Sequence, residues 1–269
     1  MRTRLSTGNP FGYGRYGFAW EQVPQGCGTL LDVGCGRGVF LAAVRAKGVS
    51  RLAGVDVSRE AVDVARRSCP GAEIRHVSAG VPLPFSEGAF QRITLLDVLE
   101  HVHDQKGLLR EVARVLADDG QLIVTVPREH VYSFMDLGNL KFMFPRLHRM
   151  VYVLTHSRAS YDHRYARNPD GLVGDVSAEK RWHEHFSRRR LGLLLRRAGL
   201  QAVDWDGSAL LLRPVAPLLW FAGRVPGLRR AGAVFRELDA RCFEAMNLFC
   251  VAAKMHTTQS ALPTRSPLD

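Results

Sequence analysis

Between positions 29 and 126 the apolar residues of this chain alternate between two rhythms. Short continuous apolar runs are followed by stretches whose apolar positions lie three and four apart. The runs predict strands over 29–34, 51–56, 73–77, 91–97 and 120–126, and the intervening stretches predict helices over 37–47, 59–68 and 104–117. Ser58 stands where an N-cap of the second helix belongs. Asp119-Gly120 reads as the turn into the fifth strand. Strands alternating with helices imply a parallel sheet with right-handed crossovers. The rhythm then breaks over about 128–182. It resumes with Ser187 as an N-cap, a helix over 188–198 ending at Gly199, and a strand over 201–205. A second interruption covers about 207–245, and an apolar run over 247–253 supplies a seventh strand. Residues 1–28 are rich in Gly and aromatics and read as a loop followed by a short helix. The Thr-, Ser- and Pro-rich stretch 256–269 reads as a disordered tail. The expectation is a single α/β domain over 1–255 with a doubly wound sheet and two mostly helical insertions.

The stretch Leu31-Asp32-Val33-Gly34-Cys35-Gly36-Arg37-Gly38 joins the first strand to the first helix. Gly34, Gly36 and Gly38 lack Cβ atoms, so the backbone there can touch a ligand and take unusual φ values. The following helix start offers free N–H groups. Asp56 ends the second strand, at the distance where a carboxylate reaches ribose hydroxyls. A dinucleotide fingerprint needs G-x-G-x-x-G/A, but position 39 is Val and the glycines read G-x-G-x-G. Asp32, just ahead of them, suits a cationic group better than a pyrophosphate. A Gly-rich turn of some other α/β protein is the bland alternative.

This motif resembles motif I of the class I S-adenosylmethionine-dependent methyltransferases. Arg92 to Val102, the helix from Asp104, and Leu83-Pro84-Phe85 with Phe90 look like the broad group containing the ubiquinone-pathway O-methyltransferases. The resemblance covers 28–127 well and 185–206 fairly. It implies a Rossmann-like seven-stranded sheet with the insertions capping an acceptor pocket. It implies S-adenosylmethionine held by Asp32 at the methionine end, Asp56 at the ribose, and Gly34, Cys35, Gly36, Gly38 and Val57 around them. Ser78 and Ala79 fall at the adenine end, and Leu96 and Asp97 beneath the methyl group. Two departures stand out. The acid usual after the third strand is replaced by His76-Val77-Ser78-Ala79-Gly80. The fourth strand does not end in N-P-P-Y, which in family terms argues against methylation of planar amino groups.

Asp97, Glu100 and His101 form D-x-x-E-H, which in the resembled enzymes is associated with a divalent metal. Local pairing of Glu100 and packing of His101 is the reading preferred here, with no metal. His101 is a candidate general base. In Trp182-His183-Glu184-His185-Phe186 two imidazoles on an extended segment point the same way. His185 is the candidate for acceptor contact or catalysis, with packing as the plain alternative. Tyr13, Arg15 and Tyr16 read either as a lid over the cofactor carboxylate or as a packed N-terminal arm.

Composition refines the picture. The 269 residues are 46% hydrophobic, enough for a sizeable core, and the formal net charge is +11. Between 140 and 190 eleven Lys and Arg face five acids, so more than half of that charge sits between those two positions. Both insertions interleave cations with aromatic and aliphatic residues, as an interfacial segment requires. An ordinary cap with its apolar side inward is the alternative, and the two are compatible. Five cysteines without C-x-x-C spacing read as reduced thiols. No signal peptide is visible, and no apolar run reaches the ~18 residues of a membrane span. The expected protein is cytoplasmic, peripheral at the inner face of a membrane. It methylates a hydroxyl of a small-molecule or lipid-linked acceptor, with an anionic membrane surface as partner. RNA methylation and a non-catalytic scaffold are the rival readings. Without an aromatic-rich RNA-binding module, nucleic acid is not expected as a partner.

Overall fold

The computed structural model describes residues 5–129, 144–162, 184–211 and 226–255, together with Val215 and Leu218. The tail 256–269, His183 and much of both insertions therefore lie outside the described residues. The strands are β1 (Thr29–Val33), β2 (Arg51–Asp56), β3 (Glu73–His76), β4 (Phe90–Leu96), β5 (Leu116–Pro127), β6 (Leu200–Ser208) and β7 (Asn247–Lys254). They form one sheet in the order β3-β2-β1-β4-β5-β7-β6. β1 to β5 pair in parallel, while β7 runs antiparallel between β5 and β6. The expected doubly wound, seven-stranded sheet is present.

The helices are α1 (Arg15–Glu21), α2 (Val39–Val44), α3 (Arg59–Ser68), α4 (Gln105–Val115), α5 (Pro145–Thr155), α6 (Arg158–Tyr161), α7 (Arg188–Arg197) and α8 (Pro226–Cys242). Successive strand residues serve opposite faces. Leu31, Ile93, Leu95, Leu122 and Val124 join Leu109 and Val112 of α4 and Leu191 and Leu195 of α7. Leu30, Ile123, Phe249 and Val251 join Phe18 of α1, Phe40 and Leu41 of α2, and Val62 and Ala65 of α3. The continuous apolar runs are thus strands covered on both sides. Side chains start three helices: Ser58 and Ser187 as expected, accepting from the Ala61 and Arg190 amides, and Asp104, expected inside its helix, capping it by accepting from the Gly107 amide. At the C-terminal end of α1 the buried Lys47 ammonium donates to the carbonyls of Trp20 and Val23.

Two local expectations are corrected. The predicted helix 37–47 is α2 followed by a 3₁₀ turn, Arg45–Lys47, that Gly48 ends at φ 69°. Asp119-Gly120 is not a simple turn before a strand at 120. Helix α4 stops at Val115, and Leu116 already pairs with Phe90 before the ladder resumes at Arg92 with Gln121. The residues between bulge out of β5 because buried Leu116 docks early beside Phe90. At Gly120 a Cβ would press on Leu116 and the Ala117 carbonyl.

Candidate cofactor and active site

Neighbouring strands β1 and β4 lead in opposite directions across the sheet, so the crevice at their carboxyl ends is the topological switch point. The glycine loop leaves β1 here. Gly34, Gly36 and Gly38 all take positive φ (77°, 52° and 79°). The amides of Gly34 and Cys35 both donate to the Val55 carbonyl, at 2.8 and 3.0 Å, which folds the loop over β2. At Gly34 a Cβ would drive into a Val98 methyl, and at Gly38 it would meet Cys69 and Ala65 where α2 approaches α3. At Gly36 it would meet open space. That glycine is required by the backbone conformation, and the room before it is free for a ligand.

Asp56, buried at the end of β2, accepts from the Gly36 amide at 2.7 Å and from the Ser58 amide at 2.9 Å. Its carboxylate therefore braces the glycine loop against the start of α3, and each oxygen keeps a lone pair for a further donor. Asp32 is buried as well and accepts from the Thr94 hydroxyl at 2.6 Å. Burial pushes its carboxyl up to about 7; the Thr94 hydrogen bond opposes the rise and the charge of Asp56 adds to it. No cation pairs with Asp32 among the described residues. A buried carboxylate held above its ordinary range is stabilised by an incoming cationic group. The open face at Gly36 and the unneutralised Asp32 fit S-adenosylmethionine, which brings an ammonium and a ribose. Cys35 is buried and burial pushes its thiol up, so it contributes loop backbone rather than a reactive sulfur.

The remaining cofactor candidates line the same edge. The Val57 carbonyl meets His76 Nε2 at 3.0 Å. The Val77 amide donates to the Asp56 carbonyl, which sets exposed Ser78 and Ala79 just past the ribose-side acid. Leu96 is buried at the end of β4. Next to it Asp97 takes φ 56°, a left-handed conformation that side chains rarely adopt. It is held there from several sides. Its amide donates to the Thr125 carbonyl and hydroxyl at 3.0 and 3.1 Å, the Thr125 hydroxyl donates back to its Oδ1 at 2.7 Å, and Arg15 pairs with its Oδ2.

Arg15 belongs to a packed arm. Its guanidinium lies 4.9 Å from the Tyr16 ring centre, and Tyr16 and Phe11 stack on Phe40 at 6.2 and 6.4 Å. The Tyr13 hydroxyl donates to buried Asp206 at 2.9 Å. Tyr13, Arg15 and Tyr16 are thus packed against the domain, with Arg15 reaching Asp97 at the crevice. Thr94 and Thr125 are the functional neighbours that sequence reasoning missed. The only signal for either is its register, opposite Asp32 and beside Asp97.

His101 is partly exposed on the loop after β4, its Nε2 3.8 Å from Glu100 Oε1, and Glu100 is buried. Gln105 ties this loop to the chain entering α7, donating to the Leu99 carbonyl at 2.9 Å and to Glu184 Oε2 at 2.8 Å. His185 follows Glu184, so the two histidine-bearing stretches are drawn together. Buried Phe186 then donates its amide to the Pro127 carbonyl and bridges Arg128. Among the described residues no three His, Cys, Asp or Glu side chains gather as a metal site.

Fold and site together make the chain a class I S-adenosylmethionine-dependent methyltransferase. It belongs to the family described as "Methyltransferase domain", which it matches over residues 19–204. It is 28% identical over 180 residues to a demethylmenaquinone methyltransferase of Tropheryma whipplei, covering 65% of this chain and 67% of that one. It is 28% identical over 126 residues to a ubiquinone biosynthesis O-methyltransferase of Pseudomonas paraeruginosa, covering 44% and 54%. The chain thus spans about two thirds of the first relative and about half of the second. A solved S-adenosylmethionine-dependent methyltransferase from Mesorhizobium loti shares the fold, with a TM-score of 0.53 at 17% identity over 89% of this chain and 97% of that one.

Proposed function

We propose that the protein transfers a methyl group to a hydroxyl of a small-molecule or lipid-linked acceptor at a cytoplasmic membrane surface of anionic character. When bound, S-adenosylmethionine supplies an electrophilic methyl on a sulfonium and departs as a neutral thioether. Asp32 meets the ammonium, Asp56 the ribose hydroxyls, and Ser78 and Ala79 flank the adenine. Asp97, fixed by Thr125 and Arg15, floors the crevice with Leu96. The observation that carries the hydroxyl reading is the partly exposed His101 imidazole, four residues past Asp97 on the loop that Gln105 ties to the His185 stretch. There the imidazole can accept the acceptor's proton as the oxygen attacks, a role worth roughly a hundredfold or more in rate. Most of the remaining acceleration comes from holding the acceptor oxygen, methyl and sulfur in line. The names of the relatives point to quinone-type rings as the first acceptors to try.

The test incubates purified protein with S-adenosylmethionine and a hydroxylated quinone precursor, and looks by mass spectrometry for the gain of one methylene on oxygen. His101→Gln is expected to lower kcat about a hundredfold while leaving cofactor affinity unchanged. Product methylated on carbon or nitrogen, or His101→Gln with full turnover, refutes the hydroxyl reading and leaves the methyltransferase assignment standing.

A further inference from the structure

Both insertions leave and rejoin the sheet at its carboxyl edge. The first departs after Pro127 and returns at Phe186, beside Arg128. The second departs after Ser208 and returns at Asn247, its register partner. This same edge carries the glycine loop, Asp56 and Asp97. The described helices of both insertions are turned the unusual way round. On α5, Leu147, Met150, Val151 and Leu154 fall on one stripe at helical spacing. All four are exposed, Met150 by 56% and Leu154 by 78%. The other side of the helix packs: the rings of His148 and Tyr152 each lie 5.6 Å from that of Tyr161 on α6. On α8, Val234 and Leu238 lie one turn apart and are both exposed. Asp239 turns inward and accepts from the amides of Leu210 and Leu211. A helix of a fold surrounded by water buries its apolar stripe; these two present theirs.

Charge identifies what covers them. Helix α5 contains Arg146 and Arg149 and no acid, and Arg158 opens α6. The neighbouring acid, Asp162, is already paired with Arg149. On α8 exposed Arg230 and Arg236 remain, while Glu237 pairs with Arg241. Two copies docked symmetrically through α5 would bring arginines together with no carboxylate on that helix to receive them. An anionic bilayer suits both features. The stripes enter the boundary between headgroups and acyl chains, and the guanidiniums meet lipid phosphates. The eleven residues of α5 make a helix about 16 Å long, short of the ~30 Å hydrocarbon layer, so it lies in the plane of the membrane. Among the described residues no helix is long and apolar enough to cross.

We propose that the outward faces of α5 and α8 dock the protein on an anionic lipid bilayer, with the carboxyl edge of the sheet facing the membrane. This deepens the reading of a lipid-linked acceptor, and its test needs neither acceptor nor turnover, so the two fail separately. Full-length protein is sedimented with vesicles of phosphatidylcholine alone, or of phosphatidylcholine with phosphatidylglycerol, at ~0.05 and ~0.3 M salt. Binding at least about tenfold tighter to the anionic vesicles, and weaker in high salt, is expected. The doubly substituted Met150→Asp, Leu154→Asp protein should lose about tenfold or more of that binding, and Leu238→Asp should lose part of it. An unchanged S-adenosylmethionine-induced thermal shift shows that the variants are folded. Equal binding to both vesicle types, variants that bind like the parent, or a Met150→Asp, Leu154→Asp change that abolishes a dimer without affecting vesicle binding would overturn the proposal. So would retention of RNA at ~0.2 M salt with no vesicle binding.

Discussion

Replacing Asp32 by Asn should make the protein more stable and a worse enzyme, in a pH-dependent way. Burial lifts the Asp32 carboxyl to about 7, whereas an ordinary aspartate titrates near 4. At roughly 1.4 kcal/mol per pH unit, keeping this group charged in the fold costs on the order of 4 kcal/mol well above pH 7. The sign follows from proton counts. Between about 4 and 7 the folded chain holds a proton that the unfolded chain has lost, so stability falls as pH rises through that window. Below it both states are protonated and the cost vanishes. Asparagine has no charge to bury, and the Thr94 hydroxyl can still donate to its carbonyl. The stability advantage of Asp32→Asn over the parent should therefore grow by roughly 2.5 kcal/mol between pH 5 and pH 8. Urea denaturation at the two pH values reads this directly. Cofactor affinity moves the other way, because the bound ammonium loses its counter-charge: calorimetry at pH 8 should show a loss of tenfold or more. A pH-independent stability difference, or a variant less stable than the parent at pH 8, would refute the argument that Asp32 is a buried charge awaiting a cation.

Other outcomes follow from the same geometry. Asp56→Ala should weaken S-adenosylmethionine binding more than tenfold by calorimetry, and should destabilise the free protein by about 1–3 kcal/mol because the Gly36 and Ser58 amides lose their acceptor. Gly34→Ala combines φ 77° with a collision against Val98; a loss of about 2 kcal/mol or more is expected in denaturant melts, and Val98→Ala should recover part of it. Thr125→Val removes the hydroxyl that both receives the Asp97 amide and donates to its carboxylate; kcat should fall at least about tenfold with a smaller change in cofactor affinity. Dialysis against EDTA should leave turnover unchanged; activity restored only by a divalent cation would show that Asp97, Glu100 and His101 do more than pack.

The sheet was legible because strands covered on both faces leave continuous apolar runs, and two of the helices because Ser58 and Ser187 sit where caps belong. The glycine loop with Asp32 and Asp56 was legible because its residues are adjacent or one βα unit apart. What escaped is set by long-range register. Thr94 and Thr125 look like ordinary strand threonines until Thr94 is paired with Asp32, 62 residues away, and Thr125 with Asp97, 28 away. Arg15 finds Asp97 across 82 positions. The bulge in β5 hides behind an Asp-Gly pair that usually marks a turn. The direction of the α5 stripe could not be read, since Leu147, Val151 and Leu154 show the same spacing whether turned in or out.

The bridge between Arg128 and Phe186 bears on how chains of this kind could diverge. It fixes the two ends of the first insertion side by side, like the rims of a socket. The sheet therefore does not register how much chain lies between them, and lengthening that chain carries only a slowly growing entropic penalty. Whatever is plugged in there can be exchanged wholesale while the methyl-donor machinery stays as it is. A lineage with this neck is free to lengthen, shorten or replace the inserted chain without rebuilding the sheet beneath it.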